Sequence, residues 1–295
     1  SDIVRSIHLA FAVTLAYLSF PVARRRRFRG RLAFLSARRR IPRLDLALAV
    51  LAGICALYYA IDYVGIGKRQ AMPIPRDLVL GGLLILLLLE AARRALGPAL
   101  PTIAGLFIGI CFFGPELPRF LAFKRVSFSQ LVGQLSLTSE GIYGVPLYVS
   151  ASMVFLFVLF GAMLEHSGGG HYFVQLAFSL LGRFRGGPAK AAVLASGLTG
   201  LVSGSSIANT VTTGTFTIPL MKRTGYPPEK AAAVEVAAST NGQLMPPIMG
   251  AAAFIIAEQC RVPYLDVVRA AFVPAVVSYL ALIFITHLEA CKLGL

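Results

Sequence analysis

Residues 191–221 read AAVLASGLTGLVSGSSIANTVTTGTFTIPLM and contain no charged side chain. Nine of the fifteen positions from Ser203 to Thr217 are Ser, Thr or Asn. An uncharged stretch suits the interior of a bilayer, but so many polar groups need partners that lipid cannot supply. The stretch therefore predicts an interrupted membrane segment that buries its polar groups inside protein.

The composition of the whole chain also indicates a membrane protein. Of its 295 residues, 57% are apolar and only 14% are charged, whereas a soluble domain carries about a quarter charged residues. The same values exclude a disordered, collagen-like or disulfide-scaffold chain. The four cysteines lie far apart and lack metal-ligand spacing, so they imply neither a disulfide framework nor a zinc site.

Apolar runs that could cross about 30 Å of hydrocarbon need about 20 residues. The candidate runs are residues 3–22, 44–64, 78–96, 99–115, 146–165 and 267–289. We therefore expect an all-α polytopic membrane protein with about seven transmembrane segments. To these we add one re-entrant helical hairpin over residues 189–222 and one discontinuous helix over residues 228–258.

The net charge of +15 is concentrated in residues 24–43, which hold ten arginines and no acid. This block lies between two apolar runs, where basic residues mark a cytoplasmic loop. We expect it to contact lipid headgroups. Nucleic-acid binding is not expected, because no stacking platform or separate basic domain accompanies the block.

Basic residues also flank the hairpin on both sides. Three precede its uncharged residues 191–221 and three follow them: Arg183, Arg185, Lys190, Lys222, Arg223 and Lys230. An odd number of crossings would place the two groups on opposite sides, so the charge pattern favours a hairpin with both ends in the cytoplasm. Each arm, 189–202 and 207–221, has about 15 residues, or roughly 22 Å of helix, so the turn would lie near the middle of the bilayer.

The turn of the hairpin reads SGSSIAN from Ser203 to Asn209. Its hydroxyls, the Asn209 carbonyl and free backbone carbonyls could form an ion or substrate site. The alternative is a packing face of small residues, because Gly200 and Gly204 also have small-xxx-small spacing.

A second interruption reads STNGQLMPP from Ser239 to Pro247. Two successive prolines free several carbonyls, so Asn241, Gly242 and the diproline predict an unwound segment, with helix resuming from about Ile248 to Glu258. Such a break directs helix ends and bare carbonyls at a ligand. The alternative is a simple proline kink.

Glu235 is the most deeply placed acid, about seven residues into the segment that begins near Pro228. An acid inside a membrane is a functional candidate, but Lys230 or Arg223 could also neutralise it near the helix start. No catalytic residues are predicted. An intramembrane serine hydrolase would need a histidine base, and residues 191–257 contain no histidine.

Four motifs resemble the large membrane subunit of tripartite ATP-independent periplasmic (TRAP) transporters. They are RGGPAK (185–190), LVSGSSIAN (201–209), FTIPLMKRTGY (216–226) and AASTNGQLMPP (237–247). Two more, LEAARRALGPALP (89–101) and VPYLDV (262–267), resemble the fused small-plus-large permease of the TAXI branch.

The resemblance implies a multi-pass permease of the bacterial inner membrane. It would import small organic anions, commonly carboxylates, together with sodium, after a separate periplasmic binding protein delivers them. Sodium is the coupling ion, and no other metal or cofactor is implied. Large subunits of this family have two inverted repeats, each with a re-entrant hairpin and a broken helix, and are thought to work as an elevator.

The resemblance also implies which residues bind. The sodium ligands would be Ser203, Gly204, Ser205, Ser206, Asn209, Thr240, Asn241 and Gly242. The substrate contacts would be Ser205, Thr213, Asn241, Pro246 and Pro247. By the same likeness, residues 1–97 would be small-subunit-like (DctQ-like) scaffold helices, and residues 98–295 the first repeat of a large-subunit-like (DctM-like) transport domain.

The sequence has one hairpin motif and one diproline motif, so we expect a single copy of an inverted-repeat half. The chain also opens at Ser1 without a methionine, and we expect it to be the early part of a longer permease. The missing second repeat would then be one partner of this chain. The other expected partners are the binding protein, the substrate and membrane lipids. The alternatives are a non-transporting fragment or membrane scaffold, and a proton-coupled relative.

Overall fold

The computed structural model describes residues 2–21, 42–69, 72–120 and 122–295. In these ranges every regular element is a helix, which confirms the all-α class for them. The predicted cytoplasmic loop at 24–43 lies, apart from its last two residues, outside the described residues and stays a prediction. Backbone contacts divide the chain into two compact units, Ser1–Ala151 and Ser152–Leu295.

The first unit contains seven helices among its described residues, and a 3-10 turn at Gly114–Glu116. The helices are α1 (Asp2–Ser19), α2 (Arg43–Ile61), α3 (Tyr63–Lys68), α4 (Pro75–Leu96), α5 (Ala99–Ile110), α6 (Phe128–Ser136) and α7 (Val145–Val149). Local sequence explains several starts. Helix α4 begins with a proline, whose missing N–H costs nothing there, and α6 begins with a capping box between Ser127 and Gln130.

Helices α1, α2 and α4 pack around a common core. Small residues such as Ala49, Ala52 and Ala56 on α2 are buried and allow its neighbours to approach closely. Tyr143, from the segment before α7, is fully buried, stacks on Tyr59 at 4.3 Å, and donates its hydroxyl to the Ala56 carbonyl at 3.0 Å. The core of this unit therefore includes residues from outside its long helices.

Four helical runs among the described residues are long and apolar enough to cross a membrane. They are Asp2–Ser19, Arg43–Ile61, Val145–Leu164 and Tyr264–Lys292. The predicted spans 78–96 and 99–115 are not among them. The first forms most of helix α4, which carries charged residues in its first and last turns. The second is too short, because its helix α5 ends at Ile110 after 12 residues, or roughly 18 Å. The chain turns there, ahead of Gly114 and Pro115. The count of about seven segments stays a prediction.

The run Val145–Leu164 is continuous but not uniform. Helix α7 leads into a π-helical stretch at Ser150–Val154, and α8 continues from Phe155 to His166. The division between the two units falls inside this run.

The second unit is built around a helix of small residues. Its helices are α8 (Phe155–His166), α9 (Gly169–Leu181), α10 (Gly187–Ser203), α11 (Ser206–Arg223), α12 (Pro228–Asn241), α13 (Ala251–Cys260) and α14 (Tyr264–Lys292). Helix α10 contacts α8, α9, α11, α12 and α14. Most of its residues are Ala, Gly, Ser or Thr and are buried, so five helices can pack closely around it.

Helices α10 and α11 form the hairpin that the sequence predicts. The arms have 17 and 18 residues, or roughly 26 Å each, and are slightly longer than expected. They are still shorter than the roughly 30 Å hydrocarbon core. Entry and exit of this hairpin on one side of a membrane stays a prediction.

The interruption after α12 is present but shifted along the chain. Asn241 still ends an α-helix and Gly242–Leu244 forms a 3-10 turn, so the predicted unwinding at Asn241 and Gly242 is wrong. The non-helical segment runs over residues 245–250, and helix resumes at Ala251 rather than Ile248. The reason is that the missing N–H groups belong to Pro246 and Pro247, which end the helical pattern only at those positions.

Candidate functional site

The turn of the hairpin is set by two residues between its helices. Gly204 has φ +58°, a left-handed conformation that favours glycine. Ser205 is the N-cap of α11, and its hydroxyl accepts a 3.3 Å hydrogen bond from the Ala208 N–H. The Ser-Gly-Ser-Ser sequence therefore ends one helix and starts the next within two residues.

This turn lies directly against the interruption after α12. A Cβ atom on Gly200 would lie 2.7 Å from the Gly242 Cα, and a Cβ on Gly204 would overlap the Met249 carbonyl. Only glycine allows both approaches. The two interruptions, which lie about 40 residues apart in the chain, are therefore brought into contact by the fold.

Side-chain hydrogen bonds fix the interruption in place. Gln243 donates its side-chain amide to the Ser206 hydroxyl at 2.8 Å. A backbone bond adds to this, from the Gly250 N–H to the Gln243 backbone carbonyl at 2.8 Å. Tyr264 at the start of α14 places its hydroxyl 2.8 Å from the Pro247 carbonyl and 2.6 Å from the Ile248 carbonyl. The single Tyr264 hydroxyl thus serves as a donor to the backbone carbonyls of the non-helical segment.

Asn209 lies where α10, α11 and the 3-10 turn meet. Its side chain is 1% exposed, and its amide nitrogen donates a 2.8 Å hydrogen bond to the Ser196 carbonyl. Its Oδ1 atom is buried and has no hydrogen-bond partner among the described residues. A buried amide oxygen without a partner costs about 1–3 kcal/mol, so this atom has the property expected of a cation ligand.

A second polar cluster surrounds the buried side chain of Glu235. The Glu235 carboxyl is fully buried and accepts hydrogen bonds from Ser196 at 2.8 Å, Ser239 at 3.0 Å, Thr217 at 2.5 Å and Thr213. The suggested neutralisation by Lys230 or Arg223 is wrong. Lys230 instead pairs with Glu289 at 3.3 Å, and no described basic residue forms an ion pair with Glu235.

The other predicted sodium ligands have different surroundings. Gly242 adjoins Asn209, since a Cβ on Gly242 would lie 3.1 Å from the Asn209 Nδ2. Ser203 hydrogen-bonds within the turn at 3.4 Å, and the exposed Thr240 donates its hydroxyl to the Val236 carbonyl at 2.7 Å. Their ligand roles stay predictions, and of the set only Asn209 combines burial with an unpaired oxygen in the described structure.

The predicted substrate residues divide into two groups. Ser205, Asn241, Pro246 and Pro247 lie at the turn or the interruption and are partly or fully accessible. Thr213 is fully buried, and its hydroxyl contacts Glu235 and the Asn209 carbonyl. The structure therefore places Thr213 in the carboxyl cluster, away from the accessible turn.

Sequence reasoning did not identify Gln243, Ser196, Thr217 or Ser239 as parts of these clusters. Gln243 and Ser239 had a usable signal, because both lie inside the quoted STNGQLMPP motif, and Thr217 ends the polar stretch that begins at Ser203. Ser196 had none, and no local pattern connects the three hydroxyl residues, which come from α10, α11 and α12. A cavity of about 410 Å³ also borders the turn, lined by Ser203 and Ser205 and by apolar residues that include Val158 and Phe173.

Comparison with known proteins gives the family. Residues 83–295 match the family described as "Tripartite ATP-independent periplasmic transporter, DctM component". The C4-dicarboxylate TRAP transporter large permease protein DctM of Pseudomonas aeruginosa is 32% identical over 181 residues, which are 61% of this chain and 38% of that protein. The protein of the same name from Vibrio cholerae is 37% identical over 91 residues, 31% of this chain and 20% of its own length.

An uncharacterized protein, y4mL of Sinorhizobium fredii, is 28% identical over 160 residues, 54% of this chain and 38% of that protein. The chain thus spans well under half the length of the curated relatives it matches. The family match covers more than two thirds of this chain and includes both the hairpin turn and the diproline interruption. The chain therefore belongs to the DctM component family of tripartite ATP-independent periplasmic transporters.

Proposed function

We propose that the chain is a permease component of a sodium-coupled TRAP secondary transporter, and that its sodium site is built around Asn209. The observation that carries the proposal is the buried, unpaired Asn209 Oδ1 at the contact between the hairpin turn and the interruption. Interrupted membrane helices supply such oxygens to sodium in secondary transporters. Backbone carbonyls near Thr240 and Gly242 would complete the set.

The substrate would be a small organic anion bound beside the same turn. The N-terminus of α11 at Ser206 and that of α13 at Ala251 both adjoin the interruption, and helix N-termini favour anions. The matched relatives named as C4-dicarboxylate permeases support a carboxylate. A periplasmic binding protein would deliver it, and a second repeat would supply the rest of the pocket.

Residues 1–97 would act as the scaffold of a fused small subunit of the TAXI type. Supporting this, α1, α2 and α4 pack around a common core, and most of residues 1–97 precede the family match, which begins at residue 83. The apolar helices suit a multi-pass protein of the inner membrane.

The sodium site can be tested on the purified chain in detergent. We expect sodium chloride, compared with potassium or choline chloride at equal ionic strength, to raise the thermal unfolding midpoint, because a ligand that binds only the folded state stabilises it. Asn209→Ala should abolish the sodium-specific rise. Thr210→Ala is the matched control, since Thr210 neighbours Asn209 but donates to the Ser206 carbonyl of its own helix at 2.8 Å.

A sodium-specific rise that persists in Asn209→Ala would reject the assignment of the site. The transport role is tested separately, by uptake of a radiolabelled C4-dicarboxylate into proteoliposomes that hold the complete transporter and its binding protein. Uptake that does not respond to a sodium gradient would reject sodium coupling. A chain that neither binds sodium nor supports uptake would instead be a membrane scaffold.

A further inference from the structure

Glu235 is a buried acid that the proposed sodium site does not use. It lies on α12 with 0% exposure, one helical turn before Ser239. Its carboxyl contacts only hydroxyl groups among the hydrogen-bond partners that the described structure gives it: Ser196 on α10, Thr213 and Thr217 on α11, and Ser239 on α12. Three helices thus supply hydroxyls to one carboxyl.

We propose that Glu235 is a proton-exchanging site, at which the carboxyl takes up one proton from water or releases it while the surrounding hydroxyls reorient. The exchange forms or breaks only the carboxyl O–H bond, and the charge of the group changes between zero and minus one. The ligand of this site is therefore a proton, and the site is distinct from the Asn209 oxygen.

The ionised form has enough donors. A carboxylate only accepts hydrogen bonds, and a hydroxyl donates one. When Ser196, Thr213 and Ser239 turn toward Oε1 and Thr217 turns toward Oε2, at the separations found here, both oxygens are paired. The negative charge is then shared among four hydroxyl dipoles.

The neutral form is accommodated as well, because two hydroxyls have a second acceptor. Thr217 Oγ1 lies 3.0 Å from the Thr213 carbonyl, and Thr213 Oγ1 lies 2.8 Å from the Asn209 carbonyl. If Glu235 Oε2 carries the proton, it donates to Thr217 Oγ1, and the Thr217 hydrogen turns to its own helix. Neither protonation state leaves a donor of this cluster unpaired, which is what reversible exchange requires.

Among the described residues, the ionisable groups on the packed helices form no ion pair with Glu235. Lys222 and Arg223, in the last turn of α11, are exposed. Tyr279 of α14 donates to the Ala238 carbonyl at 2.9 Å, and Lys190 of α10 lies 3.1 Å from His287 of α14. Lys230, on α12 itself, pairs with Glu289 of α14. Within the described residues, Glu235 thus has no cation to fix its charge, and burying an unpaired charge is costly. Proton binding removes that charge.

A purely structural role makes a different prediction. If the hydroxyls only hold α10, α11 and α12 together, a permanently neutral Glu235 would hold the helices equally well. Polar side chains join helices in this way in many membrane bundles. Protonation measured directly distinguishes the two, because a structural carboxyl would keep one state across the pH range.

Infrared difference spectroscopy of the purified chain tests the proposal. Spectra recorded over a series of pH values should show a buried carboxylic C=O band that is present when the carboxyl is protonated and absent when it is ionised. Glu235→Gln should lose this band from the difference spectrum. Glu229→Gln, which changes an exposed acid on the same helix, should retain it. A Glu235→Gln difference spectrum identical to that of the unchanged chain would overturn the proposal.

A second variant keeps the test decisive if Glu235→Gln fails to fold. Thr217→Val keeps the carboxyl and nearly the same shape but removes one donor to the ionised form. The band should then persist to higher pH than in the unchanged chain. An unshifted band would contradict the proposed hydroxyl arrangement and overturn it.

The consequence for transport, that uptake moves a proton through Glu235, rests on the proposed function. In proteoliposomes with the complete transporter, Glu235→Gln should remove the dependence of uptake on a pH gradient and keep its dependence on sodium. An unchanged chain that shows the infrared band without any uptake would reject the transport function and leave proton exchange supported.

Discussion

Gly200 of α10 packs backbone to backbone against Gly242 of the 3-10 turn, where a Cβ on Gly200 would lie 2.7 Å from the Gly242 Cα. This contact joins the hairpin to the interruption after α12. Because neither glycine has a side chain, the oxygen-bearing residues on either side of the contact can lie close to one another. The proposed sodium site depends on this approach.

Gly200→Ala should separate the two elements. An added methyl at a tightly packed position costs about 1–3 kcal/mol, and here the obstructing atom is backbone, which cannot rotate away. We expect a lower thermal unfolding midpoint in detergent and a weaker sodium-specific rise. The control is Gly105→Ala on α5, where a Cβ meets nothing within 4 Å. Equal stability of the two variants would contradict the close packing.

Gln243→Ala should loosen the contact without weakening the core. The exposed Gln243 amide donates to Ser206 at 2.8 Å, and a single such bond contributes about 0.5–1.5 kcal/mol. We expect a reduced apparent affinity for sodium, measured by titrating the unfolding midpoint with salt, with little change in stability without sodium. Gln175→Ala, an exposed glutamine on α9, should leave both unchanged. Unchanged sodium affinity in Gln243→Ala would show that this bond does not position the site.

Tyr264→Phe should destabilise the interruption itself. The change keeps the ring, which stacks on Phe254 at 4.3 Å, and removes the hydroxyl that pairs with the Pro247 and Ile248 carbonyls. Loss of a partner from the carbonyl of the buried Ile248 costs about 1–3 kcal/mol, whereas Pro247 is exposed to solvent. Limited proteolysis near residues 245–250 should become faster. Tyr172→Phe, at an exposed tyrosine, is the control, and equal cleavage rates in the two variants would disprove the role given to Tyr264.

In the first unit, Asp45→Ala should be strongly destabilising. Asp45 and Arg94 form an ion pair at 2.7 Å, with side chains only 2% and 4% exposed. Removing one partner of a buried pair costs about 3–5 kcal/mol when the other charge is left unpaired. Arg94 keeps its bridge to Glu90 at 2.7 Å, so we expect a loss toward the lower end of that range. Arg93→Ala breaks the more exposed pair with Glu90 and should cost about 0–1 kcal/mol. Chemical or thermal unfolding of both variants compares the two effects, and similar losses would contradict the burial argument.

Local sequence predicted the existence of both interruptions well and their limits less well. Gly204 and Ser205 are residue types that end and start helices, so the hairpin turn was identifiable from them alone. The interruption began later than predicted because Asn241 and Gly242 can continue a helix when their N–H groups have acceptors, and the Gly242 N–H has one in the Ala238 carbonyl. The span 99–115 failed because an apolar composition does not specify where a helix ends.

Only part of the candidate site was accessible to the same reasoning. Asn209 was identified because it is an amide in an uncharged stretch, and Glu235 because it is an acid at depth. The partners of Glu235 were missed, since Ser196, Thr217 and Ser239 come from three helices and hydroxyls are common in small-residue packing faces.

The sequence by itself determined that this chain is helical, suited to a membrane and interrupted at two places, because helix propensity, chain-breaking residues and the absence of charge act over a few neighbouring residues. Only the tertiary structure decided that the two interruptions touch, that Asn209 is left with an unpaired oxygen and that Glu235 is enclosed by hydroxyls. Those features depend on how closely α10, α11 and α12 approach one another, and that distance is set by side chains far apart in the chain.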